Sequence, residues 1–323
     1  MPADGCPTMV VNAAPAVAWA GLGPLRATQD NRSDHDALVA AGVETDVALT
    51  PGGAPTIVCV TRSRRETLGL IARAARLARS GSRLFVDGQK TDGIDAHFRQ
   101  LRALLAGTDS LTRAHGRLIW ADLPAVLPDE LLGWEEALSP RRTPQGDFVA
   151  EGVFSADGPD PGSQLLAGHL GGLSGHVADL GAGWGYLARA VLANPAVTTL
   201  DLVEVSYAAL ELARRNVDDT RVRFHWADAR NFDPGTVLDA VVANPPFHAD
   251  RRPDPALGRA FIAAAARLIK PRGRFLMVAN RHLPYEQALS DHFASWEAVQ
   301  VTSGYKVVLA TKPRRAKAGG RRP

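Results

Sequence analysis

The C-terminal half of the chain alternates short apolar runs, typical of buried strands, with longer segments whose apolar residues have helical spacing. Strands are predicted at 176–180, 198–204, 222–227, 238–243 and 274–279, followed by a closing hairpin at 296–301 and 305–310. Helices are predicted between them at 186–192, 207–216, 255–269 and 284–293. Since parallel strands require crossover connections, this order predicts an α/β fold with a mostly parallel, seven-stranded, Rossmann-like sheet.

The N-terminal half repeats the same rhythm less clearly. Strands are predicted at 56–60, 83–87 and 117–120, and helices at 64–79 and 94–105. The segment 139–147 is rich in proline and polar residues, which is typical of a linker. We therefore predict a degenerate copy of the fold at 1–147, a complete domain at 148–311 and a basic tail at 312–323.

A glycine-rich turn, Asp179-Leu-Gly-Ala-Gly-Trp-Gly185, joins the first C-terminal strand to its helix. Gly181, Gly183 and Gly185 let the backbone turn sharply and approach a ligand closely. The amino end of the following helix favours a carboxylate or phosphate. Glu204 ends the next strand, 23 residues after Gly181, where its two oxygens can accept hydrogen bonds from a ribose diol.

This turn fits either a dinucleotide or S-adenosylmethionine, and a plain strand-to-helix turn is the structural alternative. The dinucleotide fingerprint requires glycine where this chain has Tyr186, which favours S-adenosylmethionine. Asp228 and Ala229 follow the third strand, where the carboxylate can bind the adenine amino group or simply cap the strand. Asp179 similarly lies near the methionine part of the cofactor, or caps the loop.

The fourth strand stops at Asn244-Pro-Pro-Phe247. The Asn244 side-chain oxygen and the Pro245 carbonyl can accept both hydrogens of a planar amine and stabilise the charge that develops on methylation. The rings of Pro245 and Pro246 fix the backbone, and Phe247 can stack on a base, which is worth ~1–3 kcal/mol. His248 is placed to contact substrate or to serve a structural hydrogen bond. The pattern predicts methylation of an exocyclic amine, with a strand-ending proline turn as the alternative.

Composition excludes several other classes. The cysteines Cys6 and Cys59 are too few for a zinc cluster or a disulfide framework, so no metal is expected and a reducing cytoplasm fits. The first twenty-five residues contain no Lys or Arg, unlike a signal peptide. No segment approaches the ~18 apolar residues of a membrane helix, so we expect no membrane association.

Basic charge is concentrated at the C-terminus. Residues 312–323 carry six Lys or Arg and no acid, and without those charges the net +3 of the chain becomes about −3. Such a tail can bind phosphates with release of counterions, or can act as a solubilising terminus without specificity.

The chain resembles the bacterial ribosomal RNA guanine-N2 methyltransferases, small-subunit type C and large-subunit type G. The resemblance rests on Asp179–Gly185 and Asn244–His248, and on three further segments, 152–166 (GVFSADGPDPGSQLL), 283–286 (LPYE) and 305–307 (YKV). Segments 87–93 (DGQKTDG) and 114–117 (AHGR) resemble the first domain of that family more loosely.

The resemblance implies a class I methyltransferase domain preceded by a degenerate copy. It implies methyl transfer from S-adenosylmethionine to N2 of a guanine in ribosomal RNA, and 16S RNA fits better than 23S RNA. The expected partner is ribosomal RNA or a ribosomal subunit, and the expected enzyme is a monomer. Asn244–Phe247 would hold the base. Phe154 and Ser155 would close over the pocket. The cofactor would be held by Asp179, Gly181, Gly183, Gly185, Glu204, Asp228 and Ala229. The chain departs from the family in its short, alanine-rich first domain and its basic tail.

Two rival functions remain open from the sequence. The same chemistry could act on a release-factor glutamine or a DNA adenine, although glutamine enzymes usually carry Tyr where this chain has Phe247. An RNA-binding or assembly protein without turnover is the second rival, and the intact glycine turn and Asn244 argue against it.

Overall fold

The structure is a computed structural model. It describes residues 7–15, 17, 19–52, 55–246, 248–249, 252–253 and 255–314. The chain divides into two compact units, one formed by Met1–Arg141 with Val149–Ala156 and the other by Arg142–Phe148 with Asp157–Pro323. The expected single boundary after residue 147 is therefore too simple, because segment 149–156 packs with the first unit although it follows a segment of the second.

The first unit contains a seven-stranded sheet with the order β3-β2-β1-β4-β5-β7-β6. Strands β1 to β5 are parallel, whereas β7 runs antiparallel to β5 and β6. The strands are β1 (Thr8–Val11), β2 (Leu25–Thr28), β3 (Glu44–Asp46), β4 (Thr56–Cys59), β5 (Arg83–Gln89), β6 (Asp109–Arg113) and β7 (Gly116–Asp122).

Amphipathic helices cover this sheet. Helix α2 (Arg64–Leu77) begins after a good N-cap, because the Ser63 side chain accepts a hydrogen bond from the Glu66 amide at 3.2 Å. Its alanines and Ile71 are buried against strand residues such as Val58 and Val86. The helices are α1 (Arg32–Ala40), α2 (Arg64–Leu77), α3 (Ile94–Leu104) and α4 (Asp129–Gly133), with 3-10 turns at Ala20–Leu22, Lys90–Asp92 and Trp134–Leu138.

Where the chain passes from one unit to the other, β8 (Arg141–Arg142) pairs with β9 (Phe148–Val149). The second unit then forms a sheet with the order β12-β11-β10-β13-β16-β18-β17. Its strands are β10 (Gly175–Leu180), β11 (Val197–Glu204), β12 (Val222–Trp226), β13 (Leu238–Ala243), β16 (Ile269–Asn280), β17 (Phe293–Val301) and β18 (Tyr305–Pro313). A two-stranded ribbon, β14 (His248–Ala249) with β15 (Arg252–Pro253), lies between β13 and β16 in sequence.

The helices of the second unit are α5 (Pro161–Ala167), α6 (Tyr186–Leu192), α7 (Tyr207–Asn216), α8 (Pro255–Leu268) and α9 (Glu286–His292). Apolar residues on both faces of the sheet are buried. Leu180 and Phe275 lie in the cluster that contains α8 and α9 residues, and Val177 and Leu202 lie in the cluster that contains α6 residues.

Both sheets have the same relative strand order, 3-2-1-4-5-7-6, with one antiparallel strand next to the last. The predicted class I methyltransferase fold and its degenerate N-terminal copy are confirmed. In the first unit, side chains fill the space after β1. Gln29 donates to the Ala13 carbonyl at 2.7 Å, and Asn12, itself at φ +56°, donates to the Cys59 carbonyl at 3.3 Å.

Many observed boundaries differ from the predicted ones by one to three residues, and two larger differences occur at the ends of β16 and β18. Strand β16 begins at Ile269, whereas the predicted strand begins at residue 274; a register shift opposite Leu238–Ala240 lets the pairing with β13 continue across this segment. At the other end, β18 continues to Pro313, and the Arg314 amide donates to the His292 carbonyl at 2.7 Å. Residues 312–314 therefore belong to the fold and not to the basic tail, and residues 315–323 lie outside the described part.

Candidate active site

The predicted site residues of the second unit follow the carboxyl ends of neighbouring parallel strands. In the sheet, Leu180 of β10 lies beside Val203 of β11 on one side and Ala243 of β13 on the other. The strand order reverses between β10 and β13, which is where open α/β sheets bind ligands. Asp179, Glu204 and Asn244 are thereby brought to one edge.

The glycine turn has the backbone that its sequence requires. Gly181, Gly183 and Gly185 have φ values of +76°, +56° and +88°, which L side chains rarely adopt. The Gly181 amide donates to the Val203 carbonyl at 2.8 Å, which ties the turn to β11. A Cβ at Gly185 would lie 3.0 Å from Val217, whereas Gly183 faces open space.

Glu204 stabilises the same turn through hydrogen bonds from backbone amides. Its Oε2 accepts from the Gly183 amide at 2.7 Å and its Oε1 from the Ser206 amide at 2.8 Å. The side chain is almost buried, and the two amides fix the position of its carboxylate. The carboxylate predicted to bind a ribose diol is thus also a structural support of the loop.

Asp179 is buried completely, and neither of its oxygens is hydrogen-bonded to any residue that the structure describes. Burial, and secondly the charge of Glu204, raise the pKa of this carboxyl to about 8. A buried carboxyl without partners is costly and usually marks a functional position. S-adenosylmethionine carries an ammonium group and a sulfonium, so its charge and donors suit these two oxygens.

Asp228 follows β12 as expected, but it already has a partner. Its Oδ1 accepts from the Arg230 amide at 2.8 Å and from the Arg230 guanidinium at 2.9 Å. This local ion pair was not predicted from the sequence. Ala229 beside it is buried. Contact of these two residues with adenine stays a prediction.

Asn244 is held by two residues from the start of α5. Its Nδ2 donates to Asp160 Oδ2 at 2.9 Å and to Ser163 Oγ at 2.8 Å. Its Oδ1 is buried and receives no hydrogen bond from the described residues. The oxygen predicted to accept from a substrate amine is therefore available.

The rest of the proline motif is only partly described. Pro245 is buried and Pro246 exposed. Phe247 lies outside the described residues, and His248 begins the short strand β14, although its side chain is not among those described. Their contacts with a base stay predictions.

Asp160 and Ser163 lie in segment 152–166, which supports the family resemblance, but the sequence predicts no role for either residue. Asp160 is the N-cap of α5, and its Oδ2 accepts from the Ser163 amide at 2.8 Å. An Asp-Pro pair before a helical segment signals such a cap. Nothing in the sequence shows that the same side chain contacts Asn244, which is 84 residues away.

Asn216, at the end of α7, was missed altogether. Its Nδ2 donates to the Trp184 carbonyl of the glycine turn at 2.9 Å and to the Phe148 carbonyl at 2.8 Å. Its Oδ1 accepts from the Phe148 amide at 2.7 Å. The segment 142–148 is thereby fastened beside the glycine turn.

Phe154 and Ser155 belong to the first unit. The Phe154 side chain is 56% exposed, and Ser155 has a φ of +58°. The positive φ of a non-glycine residue is a strained conformation, which often occurs at functional positions. Their role in closing a pocket stays a prediction.

In the ranges that the structure describes, no group of three or more His, Cys, Asp or Glu is arranged to hold a metal ion. No helix among those residues is long and apolar enough to span a membrane.

The comparisons with known proteins agree with this geometry. Residues 148–309 match the family "Methyltransferase small domain". The chain is 31% identical over 253 residues to ribosomal RNA small subunit methyltransferase C of Shewanella loihica, covering 75% of this chain and 72% of that one. It is 32% identical over 244 residues to the protein of the same name from Klebsiella pneumoniae, covering 73% and 69%.

Among solved structures, the chain is similar to the T. thermophilus 16S rRNA N2 G1207 methyltransferase in complex with AdoMet and guanosine. The TM-score is 0.79 at 26% sequence identity, and the match covers 95% of this chain and 88% of that one. The similarity therefore includes both units of the chain.

Proposed function

Because this chain belongs to the family of ribosomal RNA small subunit methyltransferase C, we propose that it methylates the exocyclic N2 amine of a guanine in 16S ribosomal RNA. The methyl donor is S-adenosylmethionine, and the guanine is the one that corresponds to G1207 in the structural relative's title. One observation supports the proposal above all. Asp179 and the Asn244 oxygen are both acceptors without a hydrogen bond from the described residues, and both lie where the strand order of the sheet reverses.

The chain offers the cofactor a preformed loop. Glu204 and the positive-φ glycines hold the turn open, and Asp179 supplies acceptors that none of the described residues uses. When bound, S-adenosylmethionine supplies a methyl group on a positively charged sulfur, which is strongly electrophilic. We assign Gly181, Gly183, Gly185, Asp228 and Ala229 to the same binding site.

The chain acts on the amine through fixed acceptors. An aromatic amine is a weak nucleophile because its lone pair is delocalised into the ring. Hydrogen bonds from the amine to the Asn244 oxygen and the Pro245 carbonyl strengthen as positive charge develops on the nitrogen, so they stabilise the transition state more than the ground state. Since Pro246 follows, the Pro245 carbonyl needs little reorganisation. We assign stacking on the guanine to Phe247, with His248 next to it.

We further assign Phe154 and Ser155 to closure of the pocket, and residues 315–323 to phosphate contacts with RNA. We place the enzyme in the cytoplasm as a monomer without a metal, acting in ribosome biogenesis. In this scheme the catalytic residues lie within 148–311, and the first unit, which lacks the glycine turn, contributes only the pocket-closing Phe154 and Ser155.

The test uses tritiated S-adenosylmethionine, the purified chain, and free 16S RNA, 30S or 50S subunits from cells that lack the gene. Labelled RNA is digested to nucleosides, and the modified position is mapped by primer extension. We expect label in N2-methylguanosine at one position of the small subunit. DNA and a release factor are offered in parallel assays, and label only in one of these or in the large subunit would refute the proposed substrate. Cofactor binding without any methylation would favour the non-catalytic rival.

A further inference from the structure

We infer that Asp160 is a positioning residue that determines which atom of the Asn244 amide faces the substrate. The inference rests on the proposed function, since it assumes that the Asn244 oxygen receives the guanine amine. Asp160, Ser163 and Asn244 all lie in the second unit and form one hydrogen-bonded group.

The argument begins with what each group can donate. An ionised carboxylate only accepts hydrogen bonds, so the Asn244 atom that faces Asp160 must be the nitrogen. The Ser163 hydroxyl can donate or accept and therefore cannot make this choice alone. With both hydrogens of Nδ2 directed to Asp160 and Ser163, at 2.9 and 2.8 Å, the oxygen must point the other way.

Asp160 is itself immobilised. The Oδ2 atom that accepts from Asn244 also accepts from the Ser163 amide at 2.8 Å, as the N-cap of α5. Pro161 follows and restricts the backbone at the first position of the helix. The acceptor is therefore fixed relative to β13 before any substrate binds.

Without this carboxylate the orientation of the Asn244 amide is no longer fixed. The Ser163 hydroxyl can donate to the Asn244 oxygen as readily as it accepts from the nitrogen. In the first case the amide nitrogen faces the substrate, where its hydrogens oppose those of the guanine amine. Asp160 thus keeps Asn244 in the orientation that attracts the group that is methylated.

The variant that isolates this role is Asp160→Ser. Serine is as good an N-cap as aspartate, so α5 keeps its start, but its shorter side chain no longer reaches Asn244. We expect kcat to fall about 10- to 100-fold, with KM for the 30S subunit and affinity for S-adenosylmethionine within about 3-fold of wild type. Asp160→Asn, whose oxygen can accept the same two bonds, should restore kcat to within about 5-fold.

A double-mutant cycle separates positioning from a general structural effect. In an Asn244→Ala background, Asp160→Ser should slow the reaction no further, because the atom that it orients is gone. Equal slowing by Asp160→Ser in both backgrounds would overturn the inference, as would an unchanged kcat in the single variant. Full activity of Asn244→Ala would instead refute the proposed role of Asn244 itself.

A measurement on the unaltered protein tests the same point without relying on a variant's stability. The side-chain NH2 signals of Asn244, identified by their loss in Asn244→Ala, are followed by ¹⁵N NMR. Both hydrogens are bonded within the protein, so we expect slow exchange with water and two well-separated proton shifts. Rapid exchange of either hydrogen in the free protein would contradict the orientation.

Discussion

Replacing Asp179 with asparagine should stabilise the second unit while weakening its binding of cofactor. The carboxyl is fully buried, none of the described residues hydrogen-bonds to its oxygens, and its pKa is raised to about 8. Asparagine has nearly the same size and cannot ionise. The substitution therefore removes the free-energy cost of protonating this carboxyl on folding. It also removes the negative charge that we propose binds the cofactor.

The magnitude follows from proton linkage. An unfolded aspartate has a pKa of about 3.9, so at pH 7 folding must return a proton to Asp179, which costs about 4 kcal/mol. The asparagine amide also pays for burial without partners, which offsets part of the gain. We expect a net stabilisation of about 2 kcal/mol at pH 7, or a rise of ~4–8 °C in Tm.

The dependence on pH has a definite sign. Below pH 4 both states of wild-type Asp179 are protonated, so the penalty is absent. Between about pH 4 and pH 8 the unfolded state has lost the proton that the folded state keeps, so wild-type stability falls as pH rises. Above pH 8 the penalty is constant. The advantage of Asp179→Asn should therefore be smallest at pH 4.5 and largest near pH 8.

Urea unfolding of both proteins at pH 4.5, 6, 7 and 8, followed by tryptophan fluorescence, measures this difference. Asp201→Asn is the matched control on the neighbouring strand β11. Asp201 is also buried, which by itself would raise its pKa, but hydrogen bonds from His225 and His176 at 2.9 and 2.7 Å leave it lowered. The control should destabilise. Equal destabilisation by both substitutions would refute the reasoning. So would a difference in unfolding free energy between Asp179→Asn and wild type that stays the same at every pH.

Three further outcomes are expected. Affinity for S-adenosylmethionine, measured by calorimetry, should increase as pH rises from 6 and level off above pH 8 as Asp179 ionises, and this trend should vanish in Asp179→Asn; a flat wild-type profile would argue against contact with the cofactor. Asn244→Ala should lower the methylation rate ~10²–10³-fold with cofactor binding intact, whereas a near-normal rate would remove its proposed role. Deleting residues 315–323 should weaken RNA binding and reduce the slope of log K against log salt by ~0.7–0.9 per lost phosphate contact; an unchanged slope would make the tail passive.

The parts of the fold that the sequence predicts well have strong local signals. Helices α6 and α7 and strand β13 have the predicted ends, because a glycine, the Ser206 cap and Asn244-Pro245 mark them. Strands β1 to β3 have only three or four residues each and no long apolar run, so they were not predicted. Their existence depends on successive pairing, of β1 with β4, of β2 with β1 and of β3 with β2, and not on local preference.

The candidate site divides in the same way. Glycines that need positive φ and a carboxylate after a strand can be recognised from type and spacing, as at Gly183 and Glu204. The hydrogen-bond partners of a side chain cannot be recognised in this way. Asn244 donates to Asp160, which is 84 residues away in sequence, whereas Asp228 accepts from Arg230, which is only two residues away. Both depend on how loops fold over the sheet edge. The absence of partners around Asp179 is likewise a property of the folded site.

The way the chain alternates between its units constrains how the protein can be built and divided. Segment 149–156 completes the first unit: Glu151 accepts from Ser63 at 3.3 Å and pairs with Arg65 at 3.4 Å. During synthesis, the first unit therefore stays incomplete until a stretch of its neighbour has already left the ribosome. No single cut in the gene separates the two copies cleanly. A hybrid gene joined at any single point between residues 141 and 157 would therefore interrupt one of the two units.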